Sequence, residues 1–356
     1  MRKWVVITSL FAGVIISLSF INNAASLRHI YSQSPDKWPK PFVDPAVDWK
    51  ELGLLPESPL QPYLDSLKYL ISLGKTLFFD PRLSGSGNIS CATCHQPELS
   101  WTDGKERSIG HAGAMNKRNA PTIQNSWFYK KLFWDGRAKD LENQAFAPIN
   151  SESEMHGDMR ELPANLRKIK GYAALFDSAY GDPGIDPARI AGAIAAFERT
   201  ITSRKSRFDE FLSGNKKALN NSELKGLHLF RTRAKCINCH NGPLFTDNQF
   251  HNNGFYKNGN PENDRGLYNV THKDEDIGKF KTPSLRDVMK TGPWMHNGIM
   301  ITVADIIMVY NESSPSPRDD SRRMLYLSPK EQTDLVAFLN AISSPPLEFK
   351  KPVLPE

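Results

Sequence analysis

The 356-residue sequence predicts a mainly α protein built as two similar helical modules, with long loops and little β structure. Three observations carry that prediction. Apolar residues recur at helical spacing in several windows, as at Ile190, Ile194, Phe197 and Ile201. Strand signals are sparse throughout. A helix running into a Cys-x-x-Cys-His segment occurs twice, at 91–95 and 236–240, about 145 residues apart, and the chain length suits two domains of ordinary size.

The elements follow in order. Arg2 and Lys3 precede an apolar run from Trp4 to Ile21, and small residues follow it, so residues 1–25 read as an export signal cleaved after Ala24 or Ala25, with an uncleaved anchor as the other reading. Residues 26–62 hold seven prolines and little periodicity, which predicts an extended surface segment that carries no chemistry. From Asp65, the residues Leu67, Leu70, Ile71 and Leu77 form a helical stripe ended by Asp80-Pro81. Asp186-Pro187 gives the strongest mid-chain helix its cap and first-turn proline. Ser222 is expected to cap a helix through Phe230, and Ser328-Pro329-Lys330-Glu331 is a capping box that opens a last helix burying Leu335, Phe338, Leu339 and Ile342. The expected domains are an N-terminal module at 63–200, a C-terminal module at 201–325, and a closing helix and tail at 326–356.

Charged residues make up 24% of the chain with a formal net charge of +6, which excludes a disordered chain and offers no concentrated field for nucleic acid. The four cysteines, Cys91, Cys94, Cys236 and Cys239, all belong to the two motifs, which excludes a disulfide-rich scaffold. Exported thiols tend to oxidise. In C-x-x-C-H the two sulfurs reach the vinyl groups of a haem as thioethers while the adjacent histidine reaches the iron, so the motif both consumes the thiols and names His95 and His240 as ligands. A zinc site or a pair of redox-active dithiols are competing readings, but neither accounts for the histidine in both copies. The prediction is therefore two cytochrome c-like haem domains carrying two covalently bound c-type haems.

Several segments around these motifs carry a resemblance. They are Leu77-Phe78-Phe79-Asp80, Arg118-Asn119-Ala120-Pro121-Thr122, Phe133-Trp134-Asp135-Gly136-Arg137-Ala138, Leu141 to Ile149, Glu154-Met155 and Phe280-Lys281-Thr282-Pro283-Ser284-Leu285-Arg286. From about Leu64 to the final helix the chain resembles the bacterial di-haem cytochrome c peroxidase family, in its MauG-like subgroup. The resemblance implies an oxidoreductase that reduces hydrogen peroxide at the N-terminal haem, in a pocket shaped by Gln144, Pro148 and Glu154. A carboxylate beside peroxide can move a proton from one oxygen to the other, which suits Glu154. Trp134 matches a tryptophan that relays electrons between the haems. As bare residues, these would read as a helix glutamine, a surface glutamate and a core aromatic.

The resemblance also implies that His111 caps the first haem at rest, although by itself it reads as an exposed loop histidine. The distal ligand of the second haem falls at Tyr310, with Met308 as its rival. Two positions apart on a helix, the two side chains point about 200° apart, and Tyr310 shares the apolar face of Val303, Ile306 and Ile307. A phenolate there would lower the haem potential relative to a thioether. Asn119, Thr291 and Pro293 match the ligands of a calcium ion. The implied setting is the periplasm, with a small cytochrome c or cupredoxin as electron donor or a protein as substrate, and with room for a homodimer. Ordinary cytochrome c peroxidase activity and a non-enzymatic di-haem electron carrier are the alternatives; a carrier has no use for a distal acid.

Overall fold

The computed structural model describes residues 24–254, 264–312, 324–345 and 348–356. Most of the expected export signal lies outside the described residues. Among them are helices α1 (Ala24–Tyr31), α2 (Lys68–Phe79), α3 (Cys91–Cys94), α4 (Leu141–Asn150), α5 (Leu162–Arg167), α6 (Lys170–Tyr180) and α7 (Pro187–Glu198). They continue with α8 (Arg207–Leu212), α9 (Asn221–Arg231), α10 (Tyr268–Thr271), α11 (Val303–Glu312) and α12 (Pro329–Ala341). A two-residue strand β1 (Phe250–His251) pairs antiparallel with β2 (Phe280–Lys281). No helix among the described residues is long and apolar enough to cross a membrane.

Each module is organised by a helix that enters its cysteine motif and a partner crossing it. In the first, α2 packs on α7, and Leu73, Leu77 and Phe78 meet Ile190 and Ile194 in one core. In the second, α9 packs on α12, and Leu227 and Phe230 meet Leu335 and Phe338. Both crossings depend on a missing side chain. A Cβ on Gly74 would lie 1.8 Å from the Ala193 carbonyl oxygen, and one on Gly226 would lie 2.0 Å from that of Asp334. Glycine lets the two backbones approach to that distance.

The caps at Asp186 and Ser328 form as expected, each accepting a backbone N–H from the third residue on. The cap at Ser222 does not. Asn220 accepts the Glu223 N–H at 3.0 Å while Glu223 accepts the Asn220 N–H at 2.7 Å, and Ser222, already inside the helix, donates to Asp334 of α12 instead. An asparagine with a glutamate three residues later satisfies two end donors at once, which a lone serine does not.

The proline-rich segment also differs from the extended surface segment expected. It opens as α1 and buries Leu27, Tyr31, Trp38 and Leu52 in the second core. Arg231, 0% exposed, holds it there by pairing with Glu51 and donating to the Pro39 carbonyl. At the other end the tail crosses back. Phe349 stacks on Phe79 and meets Trp101 edge-on, so the last residues close the first core.

Candidate active site

The two motif histidines are held alike. His95 directs Nδ1 to the Trp101 carbonyl at 3.1 Å, and His240 directs Nδ1 to the Phe245 carbonyl at 3.0 Å. A carbonyl only accepts, so Nδ1 carries the proton and Nε2 is left with its lone pair, the tautomer that a metal requires. Both carbonyls belong to buried aromatics in left-handed backbone, with φ of 63° at Trp101 and 56° at Phe245. That conformation costs a non-glycine residue about 1–2 kcal/mol. It occurs at the same functional position in both modules. Burial lowers the pKa of both imidazoles and keeps them neutral, and it raises those of Cys91 and Cys236, the latter to about 12. Such thiols stay protonated, which disfavours a reactive dithiol.

Both motifs open into one cavity of about 1410 Å³, whose wall includes all four cysteines, His95 and His240. Ordinary ligand pockets hold about 300–1,000 Å³. A cavity of this size, reaching two thiol pairs and two imidazoles with free Nε2 atoms, fits two porphyrins.

The first half of the wall contains the expected peroxide-side residues. Asp140 caps α4 by accepting the Asn143 N–H at 2.7 Å, and Leu141, Gln144, Ala145 and Pro148 then face the cavity together. Pro148 lacks the N–H that would bond the Gln144 carbonyl, so the helix ends soon after it. The turn that follows folds back, with Met155 N–H donating to the Pro148 carbonyl at 3.2 Å and Gly157 N–H to the Ile149 carbonyl at 2.8 Å. This brings Glu154 to the same wall, half-buried. Burial raises its carboxyl pKa, with Arg137 opposing the shift. Among the described residues its carboxylate has no hydrogen-bond or ion-pair partner.

His111 is the expected site residue that this wall does not include. Its backbone N–H donates to the Glu154 carbonyl at 2.8 Å and its ring stacks on His156, with centroids 4.3 Å apart. The loop docks on the Glu154 turn, and the imidazole packs on His156.

Trp134 stands at the junction of the modules. Its indole N–H donates to the Asn119 carbonyl at 3.0 Å, and its own carbonyl accepts the Lys281 N–H at 2.9 Å. Tyr310 lines the cavity with Ile306 and Ile307, and its hydroxyl lies 3.4 Å from Asn253 Nδ2. Met308 is absent from the wall and 43% exposed. Asn119, Thr291 and Pro293 also meet the cavity. The Asn119 amide nitrogen is committed to the Lys105 and Glu106 carbonyls, at 2.9 and 3.3 Å, which leaves the amide oxygen as the group it offers to a cation.

The structure adds residues that the sequence reading passed over. Glu198, 4% exposed, ends α7 in the cavity wall with Oε2 unpartnered, and burial pushes its pKa up to about 8. Its signal was present: it follows Ile194 by four residues and so lies on the apolar stripe. Asp44, from the segment expected to carry no chemistry, accepts from Asn238 Nδ2 at 2.8 Å inside the second motif. His251 lines the cavity and pairs with Asp247 at 2.6 Å. Cys239, Asp247 and His251 converge within 4.8 Å, but a haem thioether would claim the Cys239 sulfur and leave no separate metal site.

Comparison with known proteins agrees with this geometry. The family model described as di-haem cytochrome c peroxidase matches residues 68–217. The chain is 38% identical over 291 residues to the methylamine utilization protein MauG of Methylophilus methylotrophus, covering 80% of this chain and 85% of that protein. It is 37% identical over 336 residues to the cytochrome-c peroxidase IdrP1 of Denitromonas iodatirespirans, covering 85% and 89%. A crystal structure of a MauG-like protein associated with microbial copper homeostasis superposes with a TM-score of 0.73 at 30% identity, over 85% of this chain and 95% of that one. The two motifs, the shared cavity and these likenesses place the chain in the di-haem cytochrome c peroxidase family, oxidoreductases that use peroxide and carry two c-type haems.

Proposed function

We propose that the protein is a periplasmic peroxidase that reduces hydrogen peroxide in the N-terminal module (63–200) and receives electrons through the C-terminal one (201–325). The observation that carries this reading is a single cavity whose wall holds both haem motifs, with Gln144 and Glu154 on one side, Tyr310 on the other and Trp134 at the junction. Cys91, Cys94 and His95 would hold one haem, and Cys236, Cys239, His240 and Tyr310 the other. When bound, the haems supply the redox chemistry, delivering two electrons that with two protons turn peroxide into two waters.

The chain's own residues do the rest. Glu154 accepts the proton from the nearer peroxide oxygen and returns it to the farther one, so that water rather than hydroxide departs. Burial raises its pKa, which makes it a better proton acceptor than an exposed carboxylate. Gln144 orients the peroxide by its amide, and Pro148, with no N–H to offer, presents an apolar surface beside it. Trp134, fixed at both its indole and its carbonyl, is a rigid relay between the modules. Asn119, Thr291 and Pro293 would hold calcium through oxygen atoms, bracing the junction. The electron source is a small cytochrome c or cupredoxin, or a protein substrate that is itself oxidised, as the likeness to MauG suggests.

The test is peroxide addition to the purified di-haem protein, followed by stopped-flow absorbance and peroxide consumption with a reduced small cytochrome or cupredoxin. Fast haem oxidation with peroxide loss is expected. A protein that passes electrons between donors and never consumes peroxide would be a carrier.

A further inference from the structure

Lys281 is a buried lysine with no carboxylate in contact, Asp247 acting on it only from a distance. It is 8% exposed on β2 and lines the cavity, its Nζ 3.4 Å from the centre of the Tyr129 ring. Four other cations of the wall are paired or exposed. Arg118 pairs with Asp135 at 2.6 Å and with Asp264, Arg137 with Asp135 at 3.0 Å, and Lys235 with Asp44, while Lys117 is open to solvent. No carboxylate among the described residues lies within 4 Å of Lys281 Nζ. A desolvated ammonium without a partner is costly, and the face of one tyrosine offsets only about 2 kcal/mol or somewhat more. Burial accordingly lowers the Lys281 pKa to about 7 with Asp247 opposing the shift, and an anion in contact with Nζ would restore the full charge.

Its position says which anion. Pro121 and Pro283 each add a backbone carbonyl to a proximal ring, of His95 and His240 respectively. Two residues before those prolines stand Asn119 and Lys281, and both clasp Trp134, one accepting its indole N–H and the other donating to its carbonyl. Lys281 is thus the second module's equivalent of Asn119, at the gap between the haem positions. Tyr129 fixes the spot by accepting the Ser284 N–H at 3.0 Å across the junction. What enters this cavity with a negative charge is the haem itself, whose two propionates sit on the edge away from the thioether-forming vinyl groups.

We propose that Lys281 binds a propionate of the haem held by His240, forming a charge-assisted pair at the Trp134 gap. This rests on the presence of two covalent haems and not on peroxide turnover. Tyr129 roofs the ammonium, and the short β1–β2 pairing holds its backbone. The pair seats the haem edge against the relay tryptophan and withdraws electron density from that haem, which raises its potential.

The test uses the holoprotein as wild type, Lys281→Arg and Lys281→Met, with haem content checked in each by pyridine haemochrome. Spectroelectrochemical titration should show the His240 haem shifted to lower potential in Lys281→Met, the His95 haem shifted less, and Lys281→Arg close to wild type. Resonance Raman should show the propionate bending mode displaced in Lys281→Met alone. Unchanged potentials and Raman modes in Lys281→Met, at full haem content, would overturn the proposal, as would a shift confined to the His95 haem. Should Lys281→Met fail to fold, a holoprotein structure decides: Nζ within about 3.2 Å of a propionate oxygen supports the pair, and Nζ bonded to protein alone overturns it. A peroxide-inert protein would leave every one of these readings intact.

Discussion

Replacing Glu154 with glutamine changes an oxygen that accepts a proton into an amide that does not, at nearly constant volume. The side chain is half-buried in the cavity wall with no hydrogen-bond partner among the described residues, so the substitution breaks no structural contact. The loss falls on chemistry. A positioned acid–base group is worth roughly 10²–10⁴-fold in rate, or about 3–5 kcal/mol of barrier at about 1.36 kcal/mol per decade.

The assay is the second-order rate of haem oxidation by peroxide in stopped flow, across pH. Burial raises the pKa of Glu154, so the wild-type rate should fall as pH drops through a value above the usual carboxylate range, and Glu154→Gln should lack that limb. Stability moves the other way. A carboxyl that holds its proton more tightly when folded costs stability as pH rises through its two pKa values, so the variant should melt no lower than wild type at neutral pH. A variant reacting within about threefold of wild type and keeping the acid limb would refute the proton-transfer role.

Three further outcomes are expected. Tyr310→Met should raise the potential of the His240 haem and change its electron paramagnetic resonance signal, whereas Met308→Leu should leave both alone, since Met308 is exposed and outside the wall. Glu198, at about 8 when folded against about 4.3 in an unfolded chain, withdraws stability progressively as pH climbs from near 4 through 8; Glu198→Gln should flatten the melting temperature over that window, and an unchanged pH slope would contradict the burial argument. Gly226→Ala should lower the denaturant midpoint by about 1–3 kcal/mol of stability or prevent folding, because its methyl group meets the Asp334 carbonyl.

Covalent chemistry with a fixed local spacing was legible in the chain. Each Cys-x-x-Cys-His segment names its own partners, because two thioethers and one imidazole must reach a single macrocycle from five adjacent residues. Helix ends were legible for the same reason, a cap being a contract among four neighbours, and the one miss, Ser222 for Asn220, was a choice between two capable residues two positions apart. The 200° separation of Met308 and Tyr310 on one helix even indicated which of them would face inward.

Contacts between distant segments were not legible. The proline-rich segment shows no periodicity, yet Tyr31, Trp38 and Glu51 gather around Arg231, about 180–200 residues away, and Asp44 reaches into the second haem motif. His111 shows the converse: a loop histidine at a suggestive position that stacks on His156 and is not part of the cavity wall. Lys281 and Glu198 look like an ordinary strand lysine and helix glutamate until packing buries them on one cavity wall. Local geometry is written in neighbouring residues, so the sequence by itself determined the two haem sites and the helices that enter them. Desolvation depends on everything that closes around a group, so only the tertiary structure decided which charges are left without partners and which aromatic and acidic groups the two haem sites share.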